Sequence, residues 1–297
     1  MKLEKRLKAL NKPFIKTILT KEGDVIDCVR HYDQPAFDHP ALKNHKIQLR
    51  PTSFPFDHHQ SSSTERSSAK EVHSIPLRGT RESCPDASVP IKRTTKQDLL
   101  AADSLLAPSN NEATSYKNNR DNSGCYNTQC PGFVQVDKQI PINYAFQKTS
   151  VAGNNDLHFS ILETTHILDQ DEQTGNWWLT VSKDNVNVGY WPKELFQDLA
   201  NGAHVASWGG QTFPGSNGQF PPMGNGNKPS GLYRDTCYFD AIKYYGGGQS
   251  YDITPSEVDR YVSGSDCYDL QLTEHHEPLD ITPFAFTFGG PGGTCTA

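Results

Sequence analysis

Asn176-Trp177-Trp178-Leu179-Thr180-Val181, followed within a few residues by Val186-Asn187-Val188-Gly189-Tyr190-Trp191, decides the fold. Both runs are short and rich in aromatic and branched residues, the composition of strands rather than of helices. Alternate residues of a strand face opposite sides, so Trp177 and Trp178 cannot both be core; one of them faces a cleft or the opposite surface. Similar runs stand around this pair: Gly132-Phe133-Val134-Gln135-Val136, His158-Phe159-Ser160-Ile161-Leu162 and Phe284-Ala285-Phe286-Thr287-Phe288. Gly, Pro and Asn turns separate them. From Cys130 onward this spacing predicts a mainly β sandwich or barrel rather than a βαβ fold. One helix is expected to interrupt it, with Pro192 in its first turn, Glu194 to Ala200 as its body and Gly202 at its end.

The front of the chain reads differently. Leu3, Leu7 and Leu10 share one face of a short helix that Pro13 ends. Phe14 to Leu19 and Val25 to Val29 flank the turn Lys21-Glu22-Gly23-Asp24 and predict a hairpin. Residues 54–81 are rich in Ser and His and read as a linker, in which His58-His59 are solvated rather than metal ligands. Val89 to Thr94 is an extended piece. Thr95-Lys96-Gln97-Asp98 then carries a helix-start signature into Leu99-Leu100 and Leu105-Leu106. After Pro108 comes a polar stretch of about 15 residues with no apolar period, which reads as a loop.

Composition narrows the function classes. The 297 residues carry a net charge of −6 and a mean hydropathy of −0.66, and no run approaches the length of apolar chain that spans a membrane. The 20 prolines and 23 glycines exclude a long coiled coil, and 30 aromatic residues supply a core. Residues 1–100 hold 18 Lys/Arg against 12 Asp/Glu; the remainder holds 10 against 22. That asymmetry reads either as complementarity between two parts of one protein or as drift between two solvated surfaces. Nucleic acid is a poor partner, because the basic residues are dispersed. Charge fills the opening Met1-Lys2-Leu3-Glu4-Lys5-Arg6, so the sequence as it stands encodes no secretory signal. Among seven cysteines, Cys125 with Cys130 and Cys267 with Cys295 are disulfide candidates, which calls for an oxidising compartment. The C-x4-C spacing lacks the second close pair of a zinc site, and Cys237 is left as the odd thiol.

Few residues carry a chemical signature. Trp177, Trp178, Trp191 and Trp208 fall within 32 residues; they read as an aromatic core or, in part, as a groove for an extended peptide or sugar. The glycine runs at 209–210, 246–248 and 289–293 match neither phosphate-binding spacing and read as turns. Glu274-His275-His276-Glu277 resembles a metal cluster in composition only, since strand neighbours diverge. His158 and His166 read as strand and loop residues, and no G-x-S-x-G elbow anchors a serine triad. No cofactor and no metal are implied.

In combination, the motifs are specific. Gly23-Asp24-Val25-Ile26-Asp27-Cys28, Gln34-Pro35-Ala36-Phe37-Asp38-His39-Pro40, Leu42-Lys43-Asn44-His45 and Val89-Pro90-Ile91-Lys92-Arg93-Thr94 resemble the activation peptide of the plant neprosin family. Gly124-Cys125-Tyr126-Asn127, Cys130-Pro131-Gly132-Phe133-Val134-Gln135, Gly175-Asn176-Trp177-Trp178, Val188-Gly189-Tyr190-Trp191-Pro192, Trp208-Gly209-Gly210 and Phe288-Gly289-Gly290-Pro291-Gly292-Gly293-Thr294-Cys295 resemble the neprosin domain. The resemblance implies a secreted zymogen of a glutamic endopeptidase that cleaves after proline. It implies an antiparallel β-sandwich over residues 109–297, incomplete here, masked by a small α+β activation segment over residues 1–108. Two facing glutamates would do the chemistry, one taking a proton from water and the other, held protonated, polarising the scissile carbonyl. The implied partners are a proline-containing peptide and the chain's own activation segment. Trp177, Trp178, Tyr190, Trp191 and Trp208 would line the cleft. Its disulfides would be Cys125–Cys130 and Cys267–Cys295, with Cys28–Cys84 a third inside the activation segment.

The chain departs from the family where that chemistry lives. Only the polar loop separates Leu106 from Cys125, where the family has a further stretch of strands bearing an Ile-Glu-Ala-Gly-Trp motif with the first catalytic glutamate; no Glu-Ala-Gly-Trp occurs here. The second glutamate belongs in or beside the Trp-Gly-Gly motif, where this chain has Ser207 and Gln211; a glutamine exchanges no proton near neutral pH. The expectation is a catalytically defective member. The alternatives are an incomplete gene model of an active peptidase, a pseudoenzyme that binds proline-rich peptides or wall polymers, and a decaying paralogue.

Overall fold

A computed structural model of the chain describes residues 2–21, 23–52, 82–105, 130–143, 166–181, 186–215, 217–230, 235–240, 242–246, 249–273 and 284–296. The expected strand at His158–Leu162, the linker with His58-His59, the polar loop after Pro108, Cys125 and Glu274–Glu277 all lie outside these residues. The chain is mainly β; its described residues build small antiparallel sheets with two short α-helices. The described residues up to Ala203 belong to one compact unit, and those from His204 onward to a second.

In the first unit, α1 (Lys2–Leu10) precedes the predicted hairpin of β1 (Lys16–Leu19) and β2 (Val25–Arg30), with Ile18 opposite Ile26. β3 (Ser88–Lys92) pairs antiparallel with the other edge of β2. As an edge strand it tolerates Pro90, which has no N–H to give to a ladder. Ile18, Ile26 and the Cys28–Cys84 disulfide form a small core. Arg93 forks onto Asp27 through Nε and a terminal nitrogen at 2.7 and 2.6 Å, and the Thr17 hydroxyl adds a third donor at 2.8 Å. α2 (Lys96–Leu105) opens on a reciprocal cap: the Asp98 carboxylate accepts from Thr95 N–H, and Thr95 Oγ1 accepts from Asp98 N–H.

The decisive stretch folds as read. β4 (Val134–Gln135), β5 (His166–Gln170), β6 (Trp177–Val181) and β7 (Val186–Trp191) form an antiparallel sheet in the order β4-β7-β6-β5. Trp178 lies opposite Tyr190, and Trp177 opposite Trp191. The ladder passes from Leu179–Gly189 to Thr180–Asn187, so Val188 is the extra residue of a bulge and joins Ile140 and Val181 in their own apolar cluster. Gly189 has no freedom to be anything else, because a Cβ there would stand 2.3 Å from Val134 O and 2.7 Å from the Phe133 ring.

The helix expected after Pro192 does not form. Two 3₁₀ turns, Lys193–Leu195 and Asp198–Asn201, take its place, with Phe196 extended between them. Side chains of the sheet capture the backbone: Trp177 Nε1 donates to Leu199 O at 2.8 Å, and Gln170 Nε2 donates to Ala200 O at 2.8 Å. These bonds moor the turns to the sheet instead of to the next turn of a helix.

In the second unit, β9 (Lys243–Gly246) and β10 (Gln249–Asp252) make a hairpin, and β11 (Asp269–Thr273), β12 (Ala285–Gly289) and β8 (Cys237–Phe239) make a sheet in the order β11-β12-β8. Ile242, Ile253, Phe284 and Phe286 form its core, joined by Trp208 and Phe239. The Cys267–Cys295 disulfide is formed and Cys237 is a free thiol. The glycine run at 289–293 does more than turn. Gly290 and Gly293 bridge to Met223 and Phe220, and a Cβ on Gly292 would lie 2.3 Å from Phe220 O.

Overpacking at Gly189 gives a direct test of the sheet. Gly189→Ala must push β4 off β7 and is expected to destabilise the first unit by about 2–3 kcal/mol, read as a lower denaturant midpoint by tryptophan fluorescence.

Candidate functional site

The built site of the first unit is the face of the β4-β7-β6-β5 sheet and the segment 31–52 laid over it. Three 3₁₀ turns make up the first half of that segment: His31–Asp33, Pro35–Asp38 and Pro40–Leu42. Pro35 and Pro40 start the second and third turns with a preset φ. The His39 side chain caps the third by accepting from Ala41 N–H. The turns deliver Ala36 and Leu42 into a buried cluster with Val134, Trp178 and Tyr190, with Phe37, Ile47 and Leu195 packed around it. The Trp178 and Tyr190 rings pack together at 4.6 Å between centroids, tilted by 32°.

The segment also completes the sheet's edge. β4 is two residues long and pairs with β7 on one side only. Against it, the Gln34 carboxamide acts as a surrogate strand: Oε1 accepts from Gln135 N–H at 2.8 Å, and Nε2 donates to Gln135 O at 3.0 Å. The Gln135 side chain closes the loop beyond, donating to Ile140 O and accepting from Ile142 N–H. Both glutamines are fully buried, and an unpaired amide there would cost about 1–3 kcal/mol.

The second half of the segment is held by polar groups. Tyr190 Oη accepts from Gln48 N–H at 2.9 Å and shares a 2.9 Å hydrogen bond with His45 Nε2, while Glu194 lies 3.8 Å from His45 Nδ1. Burial, with Glu194 and Tyr32 adding to it, pushes the Tyr190 phenol up to about 12 despite the Gln48 N–H. Asp171 is buried at 1% exposure. It accepts from Gln48 Nε2 at 2.8 Å, from Thr52 N–H and Oγ1 at 2.6 Å each, and from the N–H groups of Gln173 and Thr174. Burial alone would raise this carboxyl; the donors from Thr52, Gln48 and Thr174 outweigh it and hold the group below its ordinary value. Asn176 completes the set, donating to Gln48 Oε1 at 2.8 Å.

The aromatics expected to line a cleft separate. Trp178 and Tyr190 are buried beneath the segment. Trp177 and Trp191 are half-buried, the first moored to Leu199 and the second edge-on to Phe133 at 4.6 Å. Trp208 packs in the second unit's core, and Ser207 and Gln211 beside it are exposed. Of the three expected disulfides, Cys28–Cys84 and Cys267–Cys295 are formed; Cys130 is disulfide-bonded, and its expected partner Cys125 lies outside the described residues. The glutamates among the described residues are Glu4, Glu82, Glu172, Glu194 and Glu257, all exposed. The described buried carboxylates are Asp27 and Asp171, each saturated with donors. Among these residues no cluster suited to a metal ion occurs, and no helix is long and apolar enough to cross a membrane.

The charge asymmetry becomes pairing between the two halves only in part. Among the described ion pairs, Lys12–Asp38, Lys16–Glu82 and Lys92–Asp24 stay within the front, and Lys243–Asp252 and Arg260–Asp269 within the back. Arg6–Asp103 and His45–Glu194 join a base of the basic half to an acid of the acidic half, and Lys138–Asp86 runs the other way. Sequence reading missed Asp171, Gln34 and Gln48. The turn Asp171-Glu172-Gln173-Thr174-Gly175 ahead of the Trp pair was the available signal for the first.

Comparison with known families agrees with this geometry. Residues 109–291 match the Neprosin family, and residues 17–133 match the Neprosin activation peptide. The chain belongs to the neprosin family, and the segment on the sheet is part of its own activation peptide.

Two measurements check the clamp. Tyr190→Phe orphans Gln48 N–H and is expected to cost about 1–2 kcal/mol, with faster hydrogen exchange at that amide. Burial holds His31 and His45 below the ordinary 6.5, Lys138 adding to it at His31 and Glu194 opposing it at His45. The unfolded chain therefore binds more protons, and their contribution is complete above 6.5 and lost as the pH falls below it. Asp171, held low, loses its share only as the pH falls below 3.8. Thermal melts should show a first decline between pH 7 and 5 that His45→Gln shrinks; a flat profile there contradicts the assignment.

Proposed function

We propose that this chain is a zymogen-type member of the glutamic, post-proline class whose catalytic pair is incomplete, and that it binds proline-containing peptide without cutting it. The observation that carries this reading is the pairing of an intact clamp with a missing acid. The activation segment is bonded to its sheet through buried groups, yet no Glu-Ala-Gly-Trp occurs and Gln211 follows Trp208-Gly209-Gly210. A glutamic peptidase needs one carboxylate as base and one held protonated as acid. Gln211 can fill neither role. Both described buried carboxylates are tied down by donors, and at Asp171 those donors hold the group in its charged form and remove it as a proton donor.

The reading extends to placement and architecture. Residues 1–108 serve as the activation segment and 109–297 as the shortened domain, whose sheets are proposed to form the family's sandwich. Secretion is proposed from the formed disulfides, which persist in oxidising compartments.

Purified full-length chain should leave a proline-rich peptide uncut from pH 3 to 7 while the peptide quenches its tryptophan emission. Turnover after proline that a Gln211 substitution abolishes would overturn the proposal. Sequencing the transcript across the codons for Leu106 to Cys125 separates the alternative: in-frame sequence bearing Glu-Ala-Gly-Trp would restore an active peptidase.

A further inference from the structure

Gln48 is read on both halves of its carboxamide. Nε2 donates to Asp171 Oδ2 and Oε1 accepts from Asn176 Nδ2, each at 2.8 Å. Neither partner is free to turn. Asp171 Oδ1 is fixed by the N–H groups of Gln173 and Thr174, and Asn176 Oδ1 accepts from Lys193 N–H at 3.1 Å. With that oxygen committed, Asn176 presents only its donor, beside the acceptor of Asp171. The pair is the complement of a primary carboxamide. A glutamate in the same place would bring like charge against Asp171, and an aliphatic side chain would take one donor from Asp171 and leave the Nδ2 of Asn176, a residue only 5% exposed, unpaired.

The contacts on either side ask only for peptide backbone. Tyr190 Oη takes the N–H of the glutamine, and Asp171 takes the N–H four residues on. The residue before the glutamine, Ile47, packs on the Trp178–Tyr190 cluster. We infer that Asp171, Asn176 and Tyr190 form a glutamine-reading peptide subsite, filled in cis by residues 45–52, that accepts a free peptide carrying an apolar residue followed by glutamine when the segment is displaced. The inference rests on the segment covering the sheet, as in the function proposed above, and not on whether the chain cuts.

The test uses the full chain opened in place. Gln48→Glu sets a carboxylate against Asp171; Gln48→Ala opens the same site without charge if the first variant loses its near-UV dichroism. A fluorescent peptide of residues 45–52, His-Lys-Ile-Gln-Leu-Arg-Pro-Thr, is titrated by anisotropy against its counterpart with Glu for Gln. The opened chain should capture the glutamine peptide at least about tenfold more tightly than the glutamate peptide, and the unaltered chain should bind neither. Equal binding of the two peptides, or no capture by either opened chain, overturns the proposal. Because binding is read without cleavage, turnover in the peptidase assay would leave it standing.

Discussion

Tyr190 is the point on which the first unit turns. Its ring packs on Trp178 and closes the apolar face of the sheet, while its hydroxyl reaches the backbone of the covering segment. A buried phenol needs a partner for its oxygen, and here the partners come from residues more than 140 positions earlier in the chain. The sheet and its cover therefore form one structure. Lifting the cover exposes two large aromatic rings, unpairs a phenol and a carboxylate, and strips the edge from a two-residue strand. Returning Leu42 alone to water would cost about 2 kcal/mol.

Neutral amides carry this interface more than charge does. Gln34 against Gln135, and Gln48 between Asp171 and Asn176, use donors and acceptors that hold their places at any pH between the carboxylate and histidine ranges. Ionic strength screens exposed ion pairs but does little to bonds buried this deeply. Acid is the stronger lever, because desolvation holds two half-buried histidines of the same segment below their ordinary value. The exposed ion pairs of the front half stabilise its own small sheet and leave the interface to packing and hydrogen bonds.

What was legible in the sequence was local. The Thr95–Asp98 cap, the β1–β2 hairpin and the opposed faces of Trp177 and Trp178 are set by neighbours two to several positions apart, and they stand in the structure as read. The helix after Pro192 had every local signal and failed, because Gln170 and Trp177, reaching from the sheet, took the backbone carbonyls near its end. For Asp171 the sequence held only the mark of a local turn, because its decisive donors lie 119 and 123 residues away. Gln34 stood in a motif of the family resemblance with no role assigned to it, and only the edge of β4, 101 residues on, shows why it is buried.

A cover held by shape and neutral hydrogen bonds has a consequence for what the uncovered sheet can do. Groups that satisfy one peptide so completely are, once vacated, costly to leave to water in a partly apolar setting. Tyr190 Oη, Asp171 and Asn176 would then favour any chain that offers N–H groups and a carboxamide at the same spacing. Most of those contacts are to backbone and so tolerate many sequences, while the carboxamide contact selects among them. Recognition of peptide is thus built into the same atoms that hold the activation segment, and it draws on no glutamate pair.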